Sequence, residues 1–314
     1  MSNGAGSDDV PPAAAPAGTG GTFDRRGFLG SALAALAAAA LPDGLRGAAP
    51  ARGALVDPAV VPARLDRIGL QLYTVREDAA HDLAGTLARV ARIGYDDVEF
   101  AGYQGHSPGD VHRMLDAARL GAPAAHVPLE RLRGEMATVL EEARVVGHGC
   151  IVCPWIDEKE RTADGYADVA VALNRAGEAA RENRISLAYH NHDFEFTPLP
   201  DGRKPYDLLL RLTEPELVDM EMDLFWAVKG GADPLAYFKE WPGRFTLLHA
   251  KDMDAAGRMV DVGKGTIDFR RIFAARLRAG MTNVFVEHDE PADPWASVSA
   301  SYDYLKKLSF GTSG

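Results

Sequence analysis

The segment Ile185-Ser186-Leu187-Ala188-Tyr189-His190-Asn191-His192-Asp193 is a mostly apolar run that ends in a group of polar side chains. A short run that is apolar on both faces is typical of a strand buried in a parallel sheet. Before it, apolar residues recur at the three- and four-residue spacing of an amphipathic helix, namely Val169, Leu173, Ala176 and Ala180. The segment therefore predicts a helix followed by a buried strand whose end carries polar residues.

The same alternation of helix and strand patterns repeats along the chain. The eight predicted strands are residues 68–72, 97–100, 122–126, 150–154, 185–190, 217–222, 246–250 and 283–287. Eight such units in a run of about 245 residues match the usual size of a (β/α)8 TIM barrel. We therefore predict one α/β barrel domain over residues 65–310. The alternative, an open doubly wound sheet, needs a glycine-rich turn after its first strand, and Leu72-Tyr73-Thr74-Val75-Arg76 lacks one.

Glycines follow several of the predicted helices. Gly94, Gly121, Gly149 and Gly280 each lie just after a helical pattern. A helix commonly ends at a residue in the left-handed conformation, which glycine adopts without strain. We expect these four glycines to cap their helices.

Residues 1–52 have a different composition from the predicted barrel. Residues 1–20 are rich in Ala, Gly, Pro and Ser, and Arg25-Arg26 precedes an apolar run at 28–41. This arrangement resembles a twin-arginine export signal. It implies a disordered, cleavable segment, the twin-arginine export machinery as a partner, and a periplasmic or secreted protein. Alternatives are an ordinary signal peptide or a short anchor helix, but the apolar run is too short for a stable membrane anchor.

The charge of the chain argues against nucleic acid as a partner. The formal net charge is -11, and 46% of the residues are apolar. An acidic surface repels phosphate backbones and anionic lipid. The composition thus allows a large core and favours a small-molecule ligand, while an oligomer remains possible.

The chain has two cysteines, Cys150 and Cys153. Their spacing resembles a redox or zinc motif. Both fall in one predicted strand, where positions three apart point to opposite faces. We expect two inert, buried thiols without a disulfide.

Polar residues end most of the predicted strands. In a TIM barrel these ends form the active site. The residues at this position are Glu99, His126, Trp155, His190, Asp223, His249 and Glu287.

Four of these residues form a candidate metal site. His190, Asp223, His249 and Glu287 offer two imidazoles and two carboxylates from four consecutive strands. Such a set suits one divalent ion (Mn²⁺, Co²⁺, Zn²⁺ or Fe²⁺) with positions open for a substrate. The alternative is a network of buried polar residues that binds no ion.

Several sequence stretches resemble the sugar phosphate isomerase/epimerase family, the xylose isomerase-like TIM barrel group. They are residues 68–76, 94–99, 189–192, 222–223, 249–252 and 263–269. The resemblance implies one divalent ion held by Glu, Asp, His and Glu from strands five to eight, which correspond to His190, Asp223, His249 and Glu287. This chain departs from the pattern at His190, so either His190 or His192 can be the ligand. The acid/base carboxylate of the fifth strand is then missing.

The resemblance also implies proton transfer next to a carbonyl. The predicted catalytic residues are Glu287, His126, His192 and Lys251. The predicted substrate-binding residues are Glu99, Tyr73, Trp155 and Trp226. For Lys251 the alternative is a salt bridge with Asp252 or Asp254. Gly263-Lys264-Gly265 lacks the frame of a phosphate loop and is expected to shape the loop after the seventh strand.

The first functional hypothesis is a metal-dependent isomerase or epimerase of an unphosphorylated sugar or keto-sugar, since export favours substrates without phosphate. The alternative is a metal-dependent lyase or hydratase acting on 3-keto-glycosides or inososes. A second alternative is a sugar-binding protein without catalysis. Phosphodiester cleavage would need more metal ligands and a basic groove, which the acidic composition argues against.

Overall fold

Each of the eight predicted strands forms in the computed structural model, which describes residues 63–311. The barrel strands are β1 (Gly69–Gln71), β2 (Asp97–Phe100), β3 (Gly121–His126), β4 (Cys150–Cys153), β5 (Ser186–His190), β6 (Asp219–Asp223), β7 (Leu247–Ala250) and β10 (Asn283–Val286). Each pairs in parallel with its neighbours, and β10 pairs with β1 to close the barrel. The predicted TIM barrel is confirmed, and the open sheet is excluded.

Helices surround this barrel. Those in the described part of the chain are α1 (Arg76–His81), α2 (Leu83–Ile93), α3 (Pro108–Ala118), α4 (Leu129–Gly134), α5 (Met136–Val146), α6 (Ala163–Glu182), α7 (Pro205–Leu212), α8 (Leu224–Lys229), α9 (Pro234–Glu240), α10 (Phe269–Ala274), α11 (Arg276–Ala279) and α12 (Pro294–Lys307). A short hairpin of β8 (Asp252–Met253) and β9 (Met259–Val260) follows β7. None of the helices within residues 63–311 has the length and apolar character needed to cross a bilayer.

The two ends of the described barrel meet. Ala63 and Phe310 form an isolated antiparallel bridge, with the Ala63 amide donating to the Phe310 carbonyl at 2.8 Å and the reverse bond at 3.0 Å. The predicted export signal within residues 1–52 lies outside the described residues.

The interior of the barrel is filled by a small apolar cluster. Its members are Ala124, Cys150, Val152, Ala188, Leu247 and Phe285. A Cβ atom on Gly69 would lie 2.3 Å from the Phe285 ring, so only glycine fits at that position in β1. This apolar plug separates the bottom of the barrel from the polar residues at the carboxyl ends of the strands.

The two cysteines behave as the strand pattern predicts. Cys150 belongs to the barrel interior and Cys153 to the core between strands and helices, and both are free and buried. The thiols therefore lie on opposite faces of β4.

Two of the four predicted glycine caps are confirmed. Gly94 and Gly280 end α2 and α11 in the left-handed conformation. The prediction is wrong for the other two positions: Arg119 and Gly147 cap α3 and α5 instead. Gly121 begins β3, where a Cβ atom would lie 2.2 Å from the carboxylate of Asp97.

Candidate active site

Polar side chains collect at the carboxyl ends of the barrel strands. Parallel pairing places Asp223 of β6 opposite His249 of β7, and His190 of β5 opposite Glu221 of β6. All four side chains are buried. The barrel thus forms two layers of polar residues above its apolar plug.

The outer layer contains the four residues predicted to bind a metal. One ligand atom from each of His190, Asp223, His249 and Glu287 lies within 4.8 Å of the others. Nδ1 of His249 is 2.8 Å from Oε2 of Glu287 and 3.9 Å from Oδ2 of Asp223. The structure brings the predicted set together, and its role as a ligand set stays a prediction.

The inner layer is centred on Glu221, which the pattern of strand ends did not indicate. Its Oε2 atom lies 2.9 Å from Nε2 of His126, 3.0 Å from Nδ1 of His190 and 3.2 Å from Nε2 of His249. With these three histidines it forms a second group of atoms close enough to hold an ion. Glu221 lies two residues before Asp223 in β6, so their shared face was the available signal.

Glu99 belongs to the same inner layer. Its Oε2 atom accepts hydrogen bonds from Nε2 of His249 at 2.6 Å and from Nε2 of Gln71 at 2.8 Å. The side chain is fully buried. The structure therefore places this predicted substrate-binding residue beneath the candidate ligands and not on the wall of the cavity above them.

The inner carboxylates fix which nitrogen of each ring faces them. A carboxylate only accepts hydrogen bonds, so the ring nitrogen beside it carries a proton. His190 then donates from Nδ1 to Glu221 and keeps a lone pair on Nε2. His249 donates from Nε2 to Glu99 and from Nδ1 to Glu287, so an ion bound through Nδ1 would displace a proton. A carboxylate behind a histidine in this way is the common support of a metal-binding imidazole.

Burial and neighbouring charges perturb the pKa values in both layers. Burial and the adjacent Glu221 raise the pKa of Glu99 to about 7. Burial opposes ionisation of Glu221 as well, but the three histidines around it hold its pKa well below the usual range. The inner layer therefore contains one carboxylate that stays ionised, Glu221, and one that titrates near neutral pH, Glu99.

The outer layer is perturbed in the same manner. Burial raises the pKa of Asp223 to about 6, although Lys251 opposes this shift. Burial lowers the pKa of His190 to about 3. Burial also disfavours the charged form of His249, but the three carboxylates near it hold its pKa well above the usual value.

Lys251 is a buried cation beside the outer layer. Its Nζ atom lies 2.7 Å from Oε2 of Glu287, 2.7 Å from Oδ1 of Asp289 and 2.9 Å from Oδ2 of Asp223. The alternative of a salt bridge with Asp252 or Asp254 is wrong. Lys251 directly follows β7 at the barrel mouth, so its ammonium meets carboxylates at the end of β6 and after β10 instead.

Asp252 has a separate role. Its carboxylate accepts hydrogen bonds from the amides of Gly263 and Gly265, both at 2.9 Å, and of Ile267 at 3.2 Å. The segment Gly263-Lys264-Gly265 thus wraps around an internal carboxylate. The prediction that these glycines shape the loop after the seventh strand is confirmed.

The donor set of the two layers fits a divalent cation. Within residues 63–311, the carboxylates that gather here are Glu99, Glu221, Asp223, Glu287 and Asp289, and the cationic groups among them are Lys251, His249 and His126. Oε1 of Glu221 and Oε1 of Glu99 are buried and accept no hydrogen bond. Excess negative charge and unsatisfied buried oxygens are what a bound ion compensates.

A cavity of about 1070 Å³ opens above this site. All four predicted catalytic residues line it, together with three predicted substrate-binding residues, namely Glu287, His126, His192, Lys251, Tyr73, Trp155 and Trp226. Within the described chain, His190 belongs to both groups of close ligand atoms, and His192 belongs to neither.

The structure is thus a TIM barrel with a cluster of His and carboxylate side chains at the carboxyl ends of its strands. The sequence profile of the xylose isomerase-like TIM barrel family matches residues 87–308. The chain therefore belongs to this family, and with it to a superfamily of enzymes.

Curated relatives of the chain are inosose dehydratases. The protein of Geobacillus kaustophilus is 27% identical over 267 residues, which are 71% of this chain and 86% of that protein. The protein of Clostridium tetani is 24% identical over 194 residues, 56% of this chain and 60% of that protein. The matches cover 52% to 60% of the inosose dehydratases of C. tetani and Lacticaseibacillus casei.

Solved structures share the fold. A sugar phosphate isomerase/epimerase from Parabacteroides distasonis has a TM-score of 0.69 and 28% identity, and the match covers 79% of this chain and 96% of that one. A structure described as the IOLI protein with a binding zinc atom has a TM-score of 0.59 and 16% identity over 76% of this chain and 95% of that one. The second likeness shows the fold alone.

Proposed function

We propose that the protein is a metal-dependent lyase that removes a proton next to the carbonyl of an unphosphorylated keto-sugar or keto-polyol and expels an oxygen from the adjacent carbon. The observation that carries this proposal is the grouping of His190, Asp223, His249 and Glu287 beside the ammonium of Lys251, below a cavity lined by three further imidazoles. The dehydratase names of the curated relatives support elimination.

A divalent ion held by the outer four residues would act as a Lewis acid toward the substrate carbonyl. The zinc atom named for the IOLI protein is consistent with such an ion in this fold. Glu221 and Glu99 orient the candidate imidazole ligands from beneath. Asp223 and Glu287 are fixed by Lys251, so their oxygens remain in place at the floor of the cavity.

His126 and His192 are the cavity imidazoles that lie beside His190. They line the cavity from β3 and from the loop after β5, and each ring centroid lies 5.1 Å from that of His190. Burial lowers the pKa of His192 to about 2, so its ring is neutral where it lines the cavity. Burial opposes the charged form of His126, but Glu99 and Glu221 hold its pKa above the usual value. His126 is therefore suited to donate a proton to the departing oxygen.

Lys251 acts as a fixed positive charge. Burial alone would lower the pKa of Lys251, but Asp223, Glu287 and Asp289 outweigh it and keep the pKa above its usual value. Its ammonium stabilises negative charge that develops on a substrate oxygen. The raised pKa argues against Lys251 as the base.

A sugar isomerase or epimerase is the second candidate function, and the likeness to the sugar phosphate isomerase/epimerase of P. distasonis favours it. The two candidates share proton removal and differ in the fate of the carbanion. In an epimerase the proton returns to the same carbon from the other face. In a lyase the neighbouring carbon–oxygen bond breaks.

Proton NMR in deuterated buffer tests the proposal. The metal-loaded protein is incubated with scyllo-inosose and a set of keto-hexoses, and a lyase exchanges the proton next to the carbonyl and forms an unsaturated product. Removal of the ion with a chelator, or the substitution Asp223→Asn, abolishes both changes. A new diastereomer without loss of water supports the epimerase. No exchange with any ketone rules out both.

A further inference from the structure

Aromatic rings line one side of the cavity as a continuous wall. We call Trp155, His192, Trp226 and Phe225 the aromatic wall. Centroid distances are 4.8 Å between Trp155 and His192, 5.4 Å between His192 and Trp226, and 4.9 Å between Trp226 and Phe225. All four residues line the cavity. An apolar surface of rings set at angles to one another therefore extends over the segments that follow β4, β5 and β6.

The aromatic wall begins at the candidate active site. The His249 and His190 rings lie 4.6 Å apart, and the His190 and His192 rings lie 5.1 Å apart. Nζ of Lys251 is 5.7 Å from the centroid of the Trp226 ring. The ring centroids of His249, His190, His192 and Trp226 thus follow one another outward at 4.6 to 5.4 Å. A group attached to a sugar at the centre would lie against Trp155 or Trp226.

The cavity is larger than one sugar ring requires. Its volume of about 1070 Å³ lies just above the roughly 300–1,000 Å³ of sites that bury drug-sized ligands. Trp155 is 46% exposed and Tyr73 is 42% exposed, and both side chains line this same cavity. Two large exposed apolar side chains in one cavity indicate a binding surface, since such residues elsewhere are scattered singly.

Trp155 is held in place although it is exposed. The guanidinium carbon of Arg161 lies 4.5 Å from the Trp155 ring centroid and 3.4 Å from that of Phe194. Nε of Arg161 donates to the carbonyl oxygen of Ile156 at 3.0 Å. A side chain that is already ordered loses less conformational entropy when a ligand binds.

The loop after β5, which carries His192, is fixed by hydrogen bonds to a buried carboxylate. Glu195 is fully buried, and its Oε2 atom accepts the amide of His192 at 2.8 Å, while Oε1 accepts the hydroxyl of Tyr189 at 2.5 Å. This anchoring holds the His192 ring between Trp155 and Trp226. The aromatic wall is therefore a preformed surface and not a collapsed hydrophobic patch.

We propose that the aromatic wall is a second subsite, which binds a ring joined through oxygen to the sugar that reacts. The substrate class is then a keto-glycoside, with either a second sugar or an aryl group as the departing part. Both share a flat face that stacks on aromatic side chains. This inference rests on the proposed lyase function and names its leaving group.

The bond changes balance without another reactant. The carbonyl carbon, the carbon that loses a proton and the carbon that carries the glycosidic oxygen are consecutive. The carbon–hydrogen bond breaks, its electron pair forms a carbon–carbon double bond, and the glycosidic carbon–oxygen bond breaks. The leaving oxygen takes a proton and departs as an alcohol or a phenol.

Binding of unreactive probes tests the subsite without turnover. The probes are para-nitrophenyl β-glucoside and cellobiose, which have two rings, and myo-inositol, which has one. We expect both two-ring probes to bind more tightly than myo-inositol in calorimetry. Trp155→Ala should weaken the two-ring probes about tenfold and leave myo-inositol unchanged, and Trp155→Phe should recover most of the loss. Leu212→Ala truncates a comparably exposed apolar residue outside the cavity and should change nothing.

The two two-ring probes distinguish an aryl group from a sugar as the second ring. A loss confined to the nitrophenyl probe assigns an aryl group, and a loss confined to cellobiose assigns a sugar. Equal affinity for one-ring and two-ring probes, unaffected by Trp155→Ala, overturns the subsite.

Turnover separates this inference from the proposed function. The metal-loaded protein should release nitrophenol from the 3-keto derivative of the nitrophenyl glucoside, with a KM raised about tenfold in Trp155→Ala. Loss of water from scyllo-inosose without cleavage of the keto-glycoside overturns the subsite and leaves the lyase. No turnover of either ketone contradicts the lyase itself, whatever the binding data show.

Discussion

Nδ1 of His190 lies 3.0 Å from Oε2 of Glu221, one layer below the four candidate metal ligands. This contact orients the His190 ring from beneath. Carboxylates in that position typically contribute a factor of about 10–100 to metal affinity. We therefore expect Glu221→Gln to weaken binding of Co²⁺ or Zn²⁺ by this factor while the barrel stays folded.

Calorimetric titration of the metal-free protein measures this effect. Asp219→Asn is the matched control, since Asp219 is a carboxylate at the opposite end of the same strand. The control should bind the ion as the unaltered protein does. Unchanged affinity in Glu221→Gln would remove the supporting role of the inner layer.

The choice between His190 and His192 as the ligand gives a second prediction. His190 lies within both groups of close ligand atoms of the described chain, whereas His192 packs between aromatic rings. His190→Ala should lose the ion, and His190→Glu should keep it with a shifted preference toward harder ions such as Mn²⁺. His192→Ala should keep the ion and lose activity. Metal analysis of the three purified variants decides, and an empty site in His192→Ala alone would reverse the assignment.

The barrel could be predicted from the sequence because its strands are short apolar runs that end in polar residues at regular intervals. Alternation along a strand also places Glu221 and Asp223 on one face of β6. It did not predict depth: residues two apart on one face occupy different layers, so Glu221 meets the histidines from below while Asp223 meets Lys251.

Contacts between strands were the harder part. The partners of Lys251 come from β6 and from the end of β10, and they depend on how far neighbouring strands are staggered in the closed barrel. Nearness in the sequence, as for Asp252, therefore did not predict the ion-pair partners of Lys251. The prediction that Gly121 caps α3 was wrong for a related reason. Glycine is needed at position 121 because the carboxylate of Asp97 from β2 leaves no room for a side chain.

The ammonium of Lys251 gives a third prediction. Lys251→Met leaves Asp223 and Glu287 buried without their cation, and loss of one partner from a buried ion pair costs about 3–5 kcal/mol. We expect this loss in the metal-free protein and a partial recovery when a divalent ion is added. Urea unfolding with and without the ion measures both.

Lys264→Met is the control for this experiment. Lys264 pairs with Asp261 at 2.7 Å, but its side chain is 65% exposed. An exposed pair contributes about 0–1 kcal/mol. If both substitutions lower the free energy of unfolding by a similar amount, the ammonium of Lys251 does not stabilise the buried carboxylates of the site.

Export by the twin-arginine route remains a proposal that rests on Arg25 and Arg26. Replacing both with lysine keeps the charge and removes the motif. We expect the protein to remain inside the cell while the barrel binds its ion normally. Fractionation of cells that produce each form, followed by immunoblotting, measures this, and normal secretion of the double-lysine protein contradicts the motif.

The last prediction concerns His148, which lies outside the candidate active site. Its Nδ1 atom donates to the carbonyl oxygen of Ala122 at 2.6 Å, and its Nε2 atom accepts from the hydroxyl of Tyr103 at 3.0 Å. This arrangement uses the neutral ring. Burial lowers the pKa of His148 to about 4, whereas an unfolded chain has a histidine pKa of about 6.5.

The unfolded chain therefore takes up the proton first as the pH falls. The stability that neutral His148 contributes is present above pH 6.5 and is lost progressively as the pH falls toward 4. By this linkage the free energy of unfolding falls by about 2 kcal/mol between pH 7 and pH 5 through this one residue.

His148→Gln has no group that titrates at this position, so its free energy of unfolding should change by that much less over the same interval. Tyr103→Phe removes a partner of the ring but keeps the histidine, and it should retain the steep dependence. Denaturant unfolding of the metal-free proteins at both pH values measures the difference, and equal pH dependence in the unaltered protein and His148→Gln would show that His148 is not the group responsible.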